Sequence, residues 1–425
     1  MQSKKFDPYV LSKKIIEGVP VYYKNIPSAP CIHIRVAFHI GAFHDPVGKE
    51  GLSHFLEHMI FDGSKTLPDK KTIREWQKKY TVNTWNAWTS HHQTVYWCKS
   101  LPEHYTEVLR GMQDMIFNPL LRPEDVEHER GVITQEAWGR FHNEKFLQYI
   151  RECNNNLYPP HSNLRRFFSA LGWPTTIKNI THSDIVTWHK NYGKNNMTLV
   201  VVGNVDQTTF SELKKFLKQA PPGKKYSLKK EKSVPPVSKE FRKHGDDIGD
   251  IREQAEINIT RTHSPFSKQL YGTRYIFSRI LKDILYEKIR EERGLCYGLD
   301  FRISTTQTYA DVGFNVTTDE KNIETIIEQF WSIVHDIQKG IYKKRFDNIK
   351  NMLIEKERSA EVLSYDIAND ALEQILKYDG EIITSAETVT MLKKTTYADI
   401  VAFSKKVLDK KYIFTEIILP SKKTK

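Results

Sequence analysis

Apolar residues fall at every second position from Ile32 through Ile34, Val36 and Phe38 to Ile40, the two-residue period of a strand with one buried face. The same period returns in the second half of the chain at Ala255, Ile257 and Ile259. Elsewhere the spacing lengthens to that of a helix. Phe55, Leu56, Met59 and Ile60 mark one helix, opened by Gly51-Leu52-Ser53 and stopped by Asp62-Gly63-Ser64. A second is predicted from Pro123 to Arg140. It has proline at its start, acidic residues in its first turns, and Val126, Val132, Ile133 and Ala137 as its apolar side.

The pattern is written twice. Thr181-His182-Ser183-Asp184-Ile185-Val186 returns as Thr396-Tyr397-Ala398-Asp399-Ile400-Val401, each time followed by a short basic stretch and an apolar strand. The strand-to-helix passage 94–117 has a counterpart at 310–334. Between the halves, residues 220–237 are rich in proline and lysine and nearly devoid of apolar periodicity, as in a linker. The expected fold class is therefore α+β: two homologous α/β sandwich domains, each an antiparallel-rich sheet covered by helices. The first is expected over residues 1–219, the second over 251–425, with a linker at 220–250.

The first predicted helix carries the chemistry. His54 and His58 are four positions apart, so both imidazoles share one helical face and can meet one metal ion. Glu57 lies on the same side, within reach of a metal-bound water, which inverts the order of the commoner H-E-x-x-H pattern. A tetrahedral hydrolytic zinc site takes a third protein ligand and leaves a fourth position to water. Glu129 and Glu136, seven apart, share a face of the second helix. One of the two can ligate the metal while the other hydrogen-bonds a ligating group.

Composition narrows the alternatives. The chain has 64 Lys and Arg against 52 Asp and Glu, a net charge of +12. Much of the excess sits in residues 214–232 and in the tail 422–425, with no base-stacking aromatic motif beside it, so no nucleic-acid partner is expected. No apolar run approaches the ~20 residues of a membrane span, and the first residues lack a signal-type apolar core. Cys31, Cys98, Cys153 and Cys296 have no paired spacing, which suits reduced, buried thiols in a cytoplasmic protein.

The motif at 54–58 is followed by Glu129-Arg130, Val132 and Glu136, with Glu136 lying 78 positions after His58. This combination resembles the insulinase (pitrilysin, M16) family of zinc metallopeptidases and, in chain length, its mitochondrial-processing-peptidase-like branch. Three further segments resemble the same family: Asn86-Ala87-Trp88-Thr89-Ser90, residues 196–206, and Arg290-Glu291-Glu292-Arg293-Gly294-Leu295-Cys296-Tyr297.

The resemblance implies a Zn2+ site of His54, His58 and Glu136, with Glu57 as the base and Glu129 supporting a ligand from outside. It implies an edge strand at Asn86, Ala87, Trp88, Thr89 and Ser90 that pairs with an extended peptide substrate. Arg290 and Tyr297 are implied to face the zinc across a closed chamber, on the half that another subunit supplies in chains of this size. Because this chain carries both halves of that site, a homodimer is expected, or a heterodimer with an M16 paralogue. A non-catalytic partner subunit is the alternative reading. Trp85 and Trp88 are bulkier than the family's usual occupants and are expected to narrow the cleft. His91 and His92 read as a solvated turn rather than a second metal site. Glu103, Glu107, Glu124, Asp125 and Glu127 read as solvated helix faces rather than chamber walls.

Overall fold

A computed structural model describes residues 6–160, 162–228, 230 and 239–422, apart from the side chains of Asn83 and Thr84. The first sheet contains β1 (Ser12–Ile16), β2 (Val19–Asn25), β3 (Ile32–Phe38), β4 (Thr81–Thr89), β5 (Thr94–Ser100) and β6 (Met197–Gly203). Their spatial order is β1-β2-β6-β3-β5-β4, with β2 and β6 parallel and every other neighbouring pair antiparallel. The second sheet contains β7 (Lys239–His244), β8 (Ala255–His263), β9 (Cys296–Thr305), β10 (Ala310–Thr318) and β11 (Phe414–Leu419), in the order β7-β11-β8-β10-β9. β7 and β11 are parallel and the rest antiparallel. Apart from β1, the two sheets share one topology, so the duplication in the sequence is a duplication of fold. The α+β class is as expected.

The compact units are not contiguous stretches of chain. One comprises residues 1–140, 166–228 and 362–376; the other comprises 141–165, 229–361 and 377–425. Each unit thus contains a helical segment from the opposite half of the sequence. In the first, the helix Ser364–Lys377 lies against the sheet, and the Tyr365 ring sits 4.8 Å from the Arg35 guanidinium, with Trp97 at 4.9 Å. Every residue of β3 is buried in consequence, His33 and Arg35 included. The alternating pattern predicts only one buried face; the helix from the far half covers the other. In the second unit, the helix Glu144–Leu157 takes the corresponding role. Its Tyr149 hydroxyl donates to Glu416 of β11 at 2.5 Å and its ring packs on Phe241 of β7.

The second unit's core lies between its sheet and the helices on the other face, with Ile257, Ile259, Ile284, Phe314 and Phe330 all buried. β7 forms inside the stretch expected to be linker, and residues 231–238 of that stretch lie outside the described residues. All four cysteines are buried free thiols. No described helix is long and apolar enough to cross a membrane.

Four helices of the first unit set the site: α1 (Leu52–Ile60), α2 (Lys70–Tyr80), α3 (Tyr105–Phe117) and α4 (Pro123–Phe141). Of the nine residues of α1 only His58 is not buried, so its first backbone N–H groups cannot look to water. Asp45 meets them from six residues upstream. Its carboxylate accepts from Gly51 N at 2.8 Å, Ser53 N at 3.0 Å and Ser53 Oγ at 2.6 Å. Ser53 Oγ in turn accepts from the Trp188 indole at 3.0 Å. Gly51 has φ +103°, and a Cβ there would stand 2.5 Å from the Leu171 carbonyl, so glycine is required at this entry. Asp45→Ala leaves these donors buried and unmet; it is expected to lower stability by about 2 kcal/mol. Urea unfolding checks this: the midpoint should fall while the slope stays constant.

Candidate active site

α1 and α4 bring the expected residues together. One ligand atom each from His54, His58 and Glu136 lies within 4.8 Å of the others. The Glu136 carboxylate is 3.9 Å from Nε2 of His54 and 3.6 Å from Nε2 of His58. These separations are long for hydrogen bonds but close to the about 3.4 Å between two ligand atoms of a tetrahedral zinc. The partner of the remaining His58 nitrogen is fixed. Nδ1 lies 3.0 Å from a Glu129 oxygen and donates to it, which keeps Nε2 turned toward Glu136. His54 has no such support: its Nδ1 is buried without a hydrogen-bond partner.

Glu129 is itself held. Its other oxygen accepts from Lys70 at 2.5 Å, and Lys70 also pairs with Asp62 at 2.6 Å. Lys70 sits in the first turn of α2, which Asp69 caps by accepting from Thr72 N at 2.8 Å. Sequence reasoning missed Lys70 and Asp62. Lys70 is 59 positions from Glu129, and nothing in its local pattern sets it apart from neighbouring lysines.

The electrostatics follow from this crowding. Burial raises the carboxyl pKa of Glu129, but His58 and Lys70 outweigh it and hold Glu129 down at about 2. His58 is the converse: burial lowers it, yet the hydrogen bond to Glu129 and the Glu136 and Glu57 carboxylates lift it to about 9. Burial and the neighbouring His58 push His54 down to about 4, against Glu136. The His58 imidazole keeps Glu136 below the usual carboxylate range. Such a donor set fits a divalent cation. A second imidazole, free of competing hydrogen bonds, faces the same carboxylate, and three glutamates supply excess negative charge.

Glu57 is only 8% exposed, and burial raises its carboxyl pKa against the Thr89 hydrogen bond and His58. Thr89 Oγ1 donates to Glu57 Oε2 at 2.6 Å. Thr89 is the last residue of β4, the edge strand of the first sheet, so the expected substrate strand also positions the expected base. A cleft of about 630 Å³ is lined by His54, Glu57, His58 and Glu136 together with Ala87, Trp88 and Thr89 of β4. Arg140 and the loop Ser169-Ala170-Leu171 complete its wall.

Several expectations change here. Asn86 is exposed, its own side chain accepting from Ala87 N, and it does not line the cleft. Ser90 falls just beyond β4, where its backbone N–H donates to the Gln93 carbonyl and its hydroxyl accepts from Gln93 N, so it builds the turn. Trp85 does not narrow the cleft. It is 4% exposed, packed among Phe61, Trp76 and Tyr96, and Trp88 alone of the pair reaches the wall. The His91-His92 turn is packed rather than solvated: His91 stacks on Phe43 at 4.4 Å, and burial pushes His92 down to about 3. Val132, expected on the apolar side of α4, is exposed, whereas Val126, Ile133 and Ala137 are buried. None of the five acidic residues at 103–127 lines the cleft. In the second unit Arg290 and Tyr297 lie beside each other. Arg290 lies in a π-helical turn, hydrogen-bonds Tyr286 and sits 5.5 Å from the Tyr297 ring, which is 86% exposed.

Comparison with known proteins agrees with this geometry. The profile of Insulinase (Peptidase family M16) matches residues 20–149, and that of the Peptidase M16 inactive domain matches residues 179–353. The chain belongs to the insulinase family, M16. The first M16 profile contains His54, His58, Glu129 and Glu136; the second matches mainly the half that lacks the histidine motif. An "Uncharacterized zinc protease" of Rickettsia felis is 26% identical over 80% of this chain and 77% of its own. The crystal structure titled peptidase M16 inactive domain from Pseudomonas fluorescens superposes with TM-score 0.83 at 16% identity, covering 98% of this chain and 100% of that one. The periplasmic protease PqqL of Escherichia coli matches with TM-score 0.81 at 17% identity over 99% of this chain, which is 48% of PqqL.

A neutral amide in place of the Glu129 carboxylate weakens the hydrogen bond that holds the His58 ring. Glu129→Gln is expected to weaken Zn2+ binding about 10- to 100-fold without unfolding the protein. Competition against a fluorescent zinc chelator measures it; an unchanged affinity refutes the supporting role.

Proposed function

We propose that this M16 member is a zinc-dependent endopeptidase acting on extended peptides or unfolded precursor segments. One observation carries the reading: a three-ligand cluster and a buried carboxylate held by the sheet-edge strand open into a single cleft. His54, His58 and Glu136 would hold the zinc, which when bound acts as a Lewis acid toward a carbonyl and lowers the pKa of water to ~7.

The protein's own groups then have separate tasks. A peptide adding to the free edge of β4 pairs its backbone with the strand, an interaction largely indifferent to sequence. Thr89, at the end of that strand, keeps one Glu57 oxygen fixed. The other Glu57 oxygen has no hydrogen-bond partner among the described residues and is free to take a proton from water and deliver it to the leaving amine. Glu129 holds the His58 tautomer through the cycle.

We further infer that a second protomer completes the site, in the manner of the mitochondrial-processing-peptidase-like branch. PqqL is about twice as long as this chain, which supports a pair of such chains as the working assembly. The half-buried Arg290 and the exposed Tyr297, side by side, would donate hydrogen bonds to the substrate in the partner's site. The non-catalytic alternative is weakened by the intact ligand-and-base set. The inactive-domain name attaches to a match over residues 179–353 and leaves the motif helix untouched.

Glu57→Gln should retain zinc and abolish cleavage of a quenched fluorescent peptide library. Cleavage by that variant at the wild-type rate removes Glu57 as base. Arg290→Ala should also be inactive, and mixing it with Glu57→Gln under conditions of subunit exchange should restore part of the activity. A mixture as inactive as its components rejects sharing of sites between protomers.

A further inference from the structure

The metal-facing side of α4 continues past Glu136. Four residues on, one helical turn, Arg140 stands on the wall of the same cleft. Its guanidinium lies 6.0 Å from the centre of the Phe168 ring, and among the described residues it has no hydrogen bond and no ion pair. Every other charged residue on the wall is engaged: Glu57 with Thr89, and His54, His58 and Glu136 with one another. Apart from the hydroxyls of Thr89 and Ser169, the rest of the wall is small or apolar, formed by Ala87, Trp88, Gly139, Ala170 and Leu171.

The charge balance of the cleft therefore turns on one residue. A divalent cation offsets the two glutamates, Glu57 and Glu136, and Arg140 remains as a net positive charge where a bound peptide must pass. A guanidinium presents paired N–H donors that match a carboxylate and repel an ammonium. We propose that Arg140 is the specificity-determining residue of this cleft, selecting peptides that carry a carboxylate close to the scissile bond. The carboxylate belongs either to an Asp or Glu side chain or to a nearby C-terminus. The inference rests on the peptidase reading above and names its substrate class. It is the opposite of a preference for basic peptides, which would have required the acidic residues at 103–127 to line the wall.

The test uses quenched fluorescent peptides of one sequence, with Glu, Gln or Lys at each position flanking the cleaved bond. Each is made with a free and an amidated C-terminus. Wild type should favour Glu over Gln by roughly tenfold in kcat/KM at one flanking position. That preference should vanish in Arg140→Gln and turn toward Lys in Arg140→Glu, with zinc content unchanged. Selection that persists in amidated peptides assigns the ligand to a side chain; selection confined to free C-termini assigns it to the terminal carboxylate. Equal ratios in wild type and Arg140→Gln overturn the proposal.

Fluorescence anisotropy of the same peptides on zinc-loaded Glu57→Gln protein separates this inference from the peptidase reading. Glu-selective binding that is lost in Glu57→Gln/Arg140→Gln, with no hydrolysis by wild type, keeps Arg140 and removes the peptidase. Absence of both selective binding and selective cleavage removes the Arg140 assignment.

Discussion

Three glutamates, two of them buried, and two imidazoles share one corner of the first unit, and that density of negative charge has to be answered by positive charge close by. Buried carboxylates without compensation cost several kcal/mol each, so the surroundings have to answer them. Lys70 answers Glu129 and Asp62 from the start of α2. His58 answers Glu129 and Glu136 by becoming basic, its pKa lifted to about 9. A metal ion bound between His54, His58 and Glu136 would relieve His58 of that second task and leave it as a ligand. The capped ends of α1 and α2 serve the same end. Asp45 and Asp69 hold the two helices at the positions from which these side chains can meet.

The duplicated sheets differ in what their edges carry. In both, the outermost strand is the first strand of a hairpin, β4 in one sheet and β9 in the other. Only an edge strand offers unpaired backbone groups to a passing peptide. At the end of β4 stands Thr89, bonded to the base on α1; at the start of β9 stands Tyr297, beside Arg290. One fold, written twice, has thus placed a buried carboxylate beside one edge and Arg290 with Tyr297 at the other. In the proposed assembly the two edges that act on one peptide belong to different protomers.

The sequence made the candidate metal site legible because its residues obey helical spacing: the histidines are four positions apart and the glutamates seven, on two helices with clear start signals. It made the duplication legible because strand and helix periods repeat. What it left unreadable depends on contacts between distant segments. Lys70 looks like any lysine in a basic helix start. Trp85 and Trp88 look alike until the two-residue period of β4 sends the first inward among Phe61, Trp76 and Tyr96. His91 and His92 look like a polar turn until Phe43 covers them. The burial of His33 and Arg35 depends on a helix more than 300 residues further along the chain, whose own pattern gives no hint of its destination.

α4 joins these threads, because a single helix carries the outer support, the ligand and the free cation in order. Glu129, Glu136 and Arg140 follow at intervals of seven and four, which keeps them near one line along the helix surface. Glu129, 3% exposed, faces α1 and α2, whereas Glu136 and Arg140 reach the open cleft. Just before Arg140 the helix has Gly139, a residue that costs roughly 1 kcal/mol relative to alanine in a helix. No neighbour requires it: a Cβ there would meet nothing within 4 Å. Gly139 lines the cleft, beside Arg140 and Glu136 on the same wall. Gly131, on the same helix but away from the cleft, has equally open surroundings, so the missing side chain bears on the cleft only at position 139.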